Sequence, residues 1–278
     1  MTDPRNAARS DSPNRLWLIA GAVVVVIGLA LVATLLAKPK AARRPVLASP
    51  ALLAKVRSVP ERVFEQVGTG TAGPPPLRIT APALTSAGKP QVLYIGAEYC
   101  PNCATQRWPM VIALSRFGTF KALKTTHSSS VDVFADTATF SFHGATYTSQ
   151  WIAFRGVELQ TNQLHGDTYA PLEKLTAAQQ RIFETYDAPP YEASSRTIPF
   201  VDFGGRFVLN GASYDPAVLS GKSALTIADG LADPTTAISK GAIGTANNLT
   251  AAICSLTANQ PAAVCATPVI TRIESTLK

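Results

Sequence analysis

Four residues constrain this chain more than any others. Cys100-Pro101-Asn102-Cys103 falls where a strand-like apolar run, Val92 to Ile95, gives way to a helix-like run, Ala104 to Phe117. A helix opens with unpaired backbone N–H groups and the positive end of its dipole, so a thiol placed there is favoured as the thiolate. Pro101 suits the first turn, where its missing N–H had no partner anyway. Cys103 lies about one turn deeper. The pattern predicts strand, dithiol and helix as one unit, with Cys100 as nucleophile and Cys103 as the thiol that resolves a mixed disulfide. Pro109 falls inside the predicted helix, and Val111, Ile112 and Leu114 resume its apolar spacing beyond it.

Other uses of a CxxC pair stay open at this level. A structural zinc site needs a second Cys/His pair at similar spacing. The only other cysteines, Cys254 and Cys265, are separated by ten residues, and His127, His143 and His165 are scattered. Metal ligation is therefore not expected, with copper handling by the dithiol and one histidine kept as an alternative. A purely structural Cys100–Cys103 bridge would close a very small ring and constrain little of the unfolded chain.

The chain has 278 residues and a net charge of +7, which suggests a nucleic-acid binder until the charge is located. Ten Lys and Arg against three acids in residues 1–62 account for all of it, and the remainder is neutral. No basic face is implied there, and no nucleic-acid partner is expected. The basic residues flank Leu16 to Ala37, an uncharged run of 22 residues. As a helix it spans roughly 33 Å, enough for a bilayer core of about 30 Å. It is too long for the apolar part of a signal peptide, and Leu35-Leu36-Ala37 is a poor cleavage site. The expectation is an uncleaved single-pass anchor in the lipid bilayer, preceded by a cytoplasmic tail, 1–15. Flanking charge leaves its orientation close to a tie.

Beyond the anchor, 38–76 reads as a basic tether and loop, with helical spacing at Val59, Val63 and Val67 and a loop over Gly68 to Pro76. The remainder, 77–278, reads as one α/β domain. Val131 to Phe142 and Trp151 to Leu159 are β-rich, and Pro171 to Asp187 is helix-like. Thr197 to Gly211 reads as two strands joined at Gly204-Gly205. Asp215 to Lys278 is Ala/Leu/Ile-rich with breaks at Pro216, Pro234, Pro261 and Pro268, which predicts three or four helices.

"VLYIGAEYCPNC" resembles the strand and active-site segment of the thioredoxin superfamily, with Tyr99 where an aromatic commonly precedes the first cysteine. "RTIPFVDFGGRFV", Arg196 to Val208, resembles that family's Ile–cis-Pro loop and following hairpin. The resemblance covers about Leu77 to Leu219. It implies a thioredoxin-like fold in which Pro199 is cis beside the dithiol and Tyr99, Ile198 and Pro199 contact substrate. Two departures are visible. Cys103 and Pro199 are far apart, which implies a large insertion, as in disulfide oxidases of the bacterial envelope. Tyr94 stands where thioredoxins often bury an aspartate, leaving Glu98 or water to take the proton of the resolving thiol. With its anchor, the "TIPFVDFGGRF" segment and the late cysteine pair, the whole chain is most similar to the uncharacterised thioredoxin-like domain of unknown function family 929, whose label supplies no activity.

Cys254 and Cys265 flank a loop of about a dozen residues. A disulfide there is worth roughly 3 kcal/mol in the chain-entropy model, and the alternative is a second redox pair serving the first. A structural disulfide implies an oxidising compartment, which turns the catalytic domain to the extracytoplasmic side of the cell membrane. The expected function is a membrane-anchored thiol–disulfide oxidoreductase without a cofactor, acting on cysteines of exported proteins and reset by a membrane redox partner. A non-catalytic thioredoxin-like binding module is the other alternative.

Overall fold

The computed structural model describes residues 43–277. The expected tail and anchor, Met1 to Ala37, lie outside the described residues. Among the described residues no helix is long and apolar enough to cross a membrane.

The described residues form a mixed α/β body. The first half contains β1 (Val46–Leu47), α1 (Pro50–Arg57), α2 (Glu61–Val67), β2 (Leu77–Arg78), β3 (Thr85–Ser86), β4 (Lys89–Gly96) and α3 (Pro101–Ser115). Next come β5 (Thr119–Lys121), β6 (Lys124–His127), β7 (Ala138–Ser141), β8 (Thr146–Thr148), β9 (Ala153–Glu158), β10 (Gln160–His165), β11 (Thr168–Pro171) and α4 (Ala177–Tyr186). The chain ends with β12 (Phe200–Phe203), β13 (Phe207–Asn210), a 3₁₀ turn (Pro216–Leu219), α5 (Ala224–Gly230), α6 (Ala237–Leu256), α7 (Ala262–Cys265) and α8 (Pro268–Glu274).

β4 organises the main sheet. It pairs in parallel with β9, Gln91 opposite Ala153 through Gly96 opposite Glu158. It pairs antiparallel with β12, Ile95 opposite Phe200 and Val92 opposite Phe203. β12 turns back into β13 through Gly204 and Gly205, both at positive φ, and β2 closes that edge. A strand buried on both faces must be apolar where it is enclosed, and β4 shows it from Val92 to Ile95. Val92 and Tyr94 point into the larger core with α3 and α6. Leu93 and Ile95 point the other way, against Val157, Phe183, Phe200 and Val208.

α3 is buried from Cys103 through Leu114. Trp108 fills its sheet side, its indole N–H donating to the Ala138 carbonyl at 3.0 Å. Pro109 removes one helical donor, which would orphan the carbonyl four residues earlier. The Tyr214 hydroxyl supplies the missing partner, donating to Thr105 O at 3.2 Å, and the helix continues through the proline. Gly241 on α6 lets that ring approach, since a Cβ there would collide with it.

Three segments differ from the sequence reading. Of Val131 to Phe142 only Ala138–Ser141 is strand. The preceding residues form a loop in which the Ser128 and Thr137 hydroxyls bond Phe134 O, and Phe134 and Asp136 take positive φ. The Pro171 to Asp187 helix begins only at Ala177, behind a Thr176–Gln179 capping box. Leu172 and Glu173 instead donate backbone N–H groups to Leu159 and Glu158. Part of the expected tether is folded, because α1 starts at a Ser49 cap and buries Leu52 and Val56. The Gly204-Gly205 hairpin and the late helices stand as read from the sequence, the latter as α5 to α8.

Asp202 on β12 is buried and accepts the Gly205 N–H at 2.6 Å, and burial pushes its pKa up to about 6. A carboxyl raised in the folded state holds its proton more tightly than the unfolded chain does. Its contribution to stability is complete below the unfolded pKa and is lost as pH rises through about 6. Asp202→Asn keeps the acceptor and cannot ionise. It is expected to gain about 3 kcal/mol over wild type at pH ~7 and next to nothing near pH ~3, measured by urea unfolding across that window. Tyr214→Phe should lose about 1–3 kcal/mol, because it leaves Thr105 O buried without a donor; an unchanged midpoint would mean that α3 does not depend on this hydroxyl.

Candidate functional site

The junction of β4 and α3 carries the two cysteines outside the disulfide. Cys100 is the N-cap of α3 in an extended conformation, and its Sγ accepts the Cys103 N–H at 3.2 Å. Pro101 occupies the first turn as expected. Cys100 keeps 6% of its surface open, and Cys103 is fully enclosed. The two thiols are driven apart. The Cys103 thiol hydrogen bond, the N–H groups of Cys103 and Asn102 and the Arg107 charge lower Cys100 despite its burial. Burial pushes Cys103 well up, and the neighbouring Cys100 adds to it. One sulfur is thus disposed to react first and the other to hold its proton.

The structure brings the distant proline to this point. The Ile198–Pro199 peptide is cis. Cys100 Sγ lies 3.6 Å from the Ile198 carbonyl oxygen, within reach of a thiol hydrogen bond. Pro199 is buried at the head of β12, and Ile198 is half-buried. The loop before them is held by Asp187, whose Oδ2 accepts the Thr197 N–H at 2.6 Å. Burial raises the Asp187 pKa to about 6.

Tyr99 stacks on Tyr169 with rings nearly parallel and centroids 4.1 Å apart. The Tyr169 hydroxyl donates to Ser129 Oγ at 2.7 Å, and Ser129 N–H donates to Tyr99 O. Burial pushes the Tyr99 phenol up to about 12, so it stays neutral. Beside this stack opens a cleft of about 740 Å³, with Tyr99, Leu159, Phe183, Asp187 and Ile198 among its walls. The cleft and Cys100 therefore share Tyr99 and Ile198 as neighbours.

Beside the dithiol turn lies a polar layer that includes Tyr94 and Glu98, and in it an ion pair that sequence reasoning missed. Arg107 and Glu158 are fully buried and paired twice, Nε to Oε1 at 2.9 Å and Nη2 to Oε2 at 2.6 Å. Tyr94 is enclosed above them, with Arg107 Cζ 5.8 Å from its ring centroid. Gly96 admits the Tyr94 hydroxyl, where a Cβ would collide. Glu98 is also buried and accepts the Ser141 hydroxyl at 2.6 Å; burial raises its pKa, against that bond. One signal was available: Arg107 stands four residues after Cys103, on the same face of a helix with no other charge. Glu158 gave none, being one acid at the end of a strand.

Cys254 and Cys265 are joined in a disulfide, with Cα atoms 5.5 Å apart, linking the last turn of α6 to α7. Both are buried. Asn248, in a sequon-like triplet, is buried and donates to Gly73 O. His143 pairs with Glu173 at 3.1 Å and His127 with Arg43 at 3.1 Å, both remote in sequence from the dithiol. Among the described residues no three His, Cys, Asp or Glu side chains gather as a metal cage.

A family described as Domain of unknown function (DUF929) matches residues 75–255, more than half of the chain. The matched span includes both dithiol cysteines and the cis-proline. No curated protein and no solved structure matches.

The largest influence lowering Cys100 is the thiol of Cys103. Cys103→Ala should therefore move the midpoint of the Cys100 alkylation-rate profile to higher pH. A midpoint unmoved or lower would assign the effect to the helix terminus alone.

Proposed function

The chain belongs to the DUF929 family, whose description names no activity, and from the geometry of its dithiol we propose a thiol–disulfide oxidoreductase acting on cysteines of other proteins. One observation carries the reading. A cysteine with a lowered pKa at a helix N-terminus faces, at 3.6 Å, the carbonyl of Ile198, which is 98 residues away in sequence and directly precedes the cis-proline Pro199. A dithiol kept only for stability needs neither the lowered thiol nor an opening beside it.

The sheet supports a thioredoxin-like reading of the fold. β9 and β4 run parallel, β12 and β13 antiparallel, the helix after β4 carries the dithiol, and the cis-proline heads β12. The segments on either side of β9, β5 to β8 and β10 to α4, are then the insertion and the helices after β13 the C-terminal extension. In this reading Cys100 thiolate attacks a substrate disulfide, or the oxidised pair accepts electrons from substrate thiols, and the substrate strand lies along Ile198 and Tyr99. The apolar run Leu16 to Ala37 anchors the chain in a membrane. The Cys254–Cys265 disulfide favours an oxidising compartment, which supports reading the domain as extracytoplasmic, with exported proteins as substrates and a membrane partner to reset the dithiol.

Insulin reduction and thiol-peptide oxidation test the proposal. Wild type should turn over in one direction, and Cys100→Ser should fall to the uncatalysed rate. Equal rates would leave a binding module of the same fold, in which the cleft holds a partner and the dithiol is idle.

A further inference from the structure

We infer that Arg107 is a positioning residue for the second thiol: its buried guanidinium, aimed at the active turn by Glu158, supplies the charge against which Cys103 ionises. This rests on the redox reading of the dithiol above.

The ion pair has a direction. Its carboxylate end is tied to the sheet, where Glu158 Oε1 also accepts the Phe142 N–H at 3.2 Å. Its guanidinium end is tied to the dithiol turn, where Arg107 Nη2 donates to Ala97 O at 2.6 Å. That same carbonyl accepts the Cys100 N–H at 3.3 Å. Arg107 also follows Cys103 by four residues, one turn along the same face of α3. The guanidinium is thus fixed under the two cysteines from both sides. Its Nη1 is buried without a partner among the described residues, as is the Tyr94 hydroxyl.

Stability does not explain this arrangement. A buried ion pair contributes little compared with apolar side chains of the same volume, and it needs all its donors satisfied. Here the guanidinium leaves both N–H donors of Nη1 without a partner among the described residues, on a helix whose Trp108, Met110 and Ile112 are buried apolar side chains. Unused donors and a buried cation beside the dithiol turn suit a site where negative charge appears only during reaction.

That charge arises at Cys103. With substrate sulfur bonded to Cys100 Sγ, Cys103 gives up its S–H proton to solvent and attacks Cys100 Sγ. The Cys100–Cys103 bond forms, the Cys100–substrate bond breaks, and the substrate leaves as a thiolate that regains a proton from solvent. One disulfide replaces another and no further oxidant is needed. Burial holds Cys103 in the neutral form, so a fixed cation is what lets this step proceed in a closed site. The ionisable groups around it are Cys100, Tyr94, Tyr99 and Arg107, with Glu158 and Glu98 beyond.

The test uses Cys100→Ser protein, in which Cys103 is the only thiol outside the disulfide, and reads its titration by ultraviolet thiolate absorbance. Arg107→Met should raise the Cys103 pKa by at least about one unit, tenfold less thiolate at a given pH. Glu158→Gln should move it the opposite way, because the cation is then unneutralised. Arg107→Lys should stay near the parent. The double change Arg107→Met with Glu158→Gln removes both charges at once, which buried pairs tolerate better than loss of one, and it should still raise the pKa. Opposite signs for the single variants, or a raised pKa in the double variant where a single fails to fold, support the inference. Shifts of one sign in the single variants, or no shift in the double variant, overturn it. The titration needs no turnover: a chain inactive on insulin with the opposite-sign pattern would lose the oxidoreductase reading and keep the electrostatic one.

Discussion

The structure depends on a helix that must be buried along its length yet open at its first residue. α3 runs between the sheet and α6, and its residues from Cys103 to Leu114 are enclosed. At its start Cys100, as N-cap, and Asn102 reach the edge of that core, and at its far end Ser115 does. The surrounding chain serves this requirement: β4 delivers the turn, Trp108 locks one side, α6 covers another, and Tyr214 repairs the break at Pro109. A helix terminus is the one place where buried backbone donors are left over, and here a sulfur takes them.

The enclosure also explains why the two thiols differ. They sit three residues apart, but one accepts N–H groups at the helix start and the other is sealed behind it. Local hydrogen bonding wins at Cys100 and desolvation wins at Cys103. An exposed salt bridge could not adjust such a balance, because solvent screens it to a small fraction of its strength. Arg107 and Glu158 are placed where screening is absent.

Much of this was legible in the sequence because local rules were strong. The apolar Val92-Leu93-Tyr94-Ile95 run, the proline after Cys100 and the paired glycines at 204 and 205 each leave few backbone choices, and the β4–α3 unit and the β12–β13 hairpin follow. The approach of Pro199 to Cys100 came from resemblance, since no local rule joins positions so distant. The illegible parts are those decided by tertiary contact. Val131 to Thr137, the first part of the β-rich stretch, is loop because the Ser128 and Thr137 hydroxyls bond its own backbone and take the ladder's place. Pro171 to Leu175 precedes a capping box, and β9's end claims its N–H groups. The Arg107–Glu158 pair joins a helix to a strand 51 residues on, and nothing in either neighbourhood announces the other.

The bond between the Tyr214 hydroxyl and the Thr105 carbonyl has a consequence for how the molecule comes into being. Thr105 belongs to the helix that starts at the dithiol, and its partner is more than a hundred residues later. α6, which packs along the same helix, comes later still. A growing chain that has delivered Cys100 and Cys103 therefore has two nearby thiols but not yet the C-terminal part of the walls around them. The dithiol turn is fully enclosed only when the C-terminal third arrives to close around it.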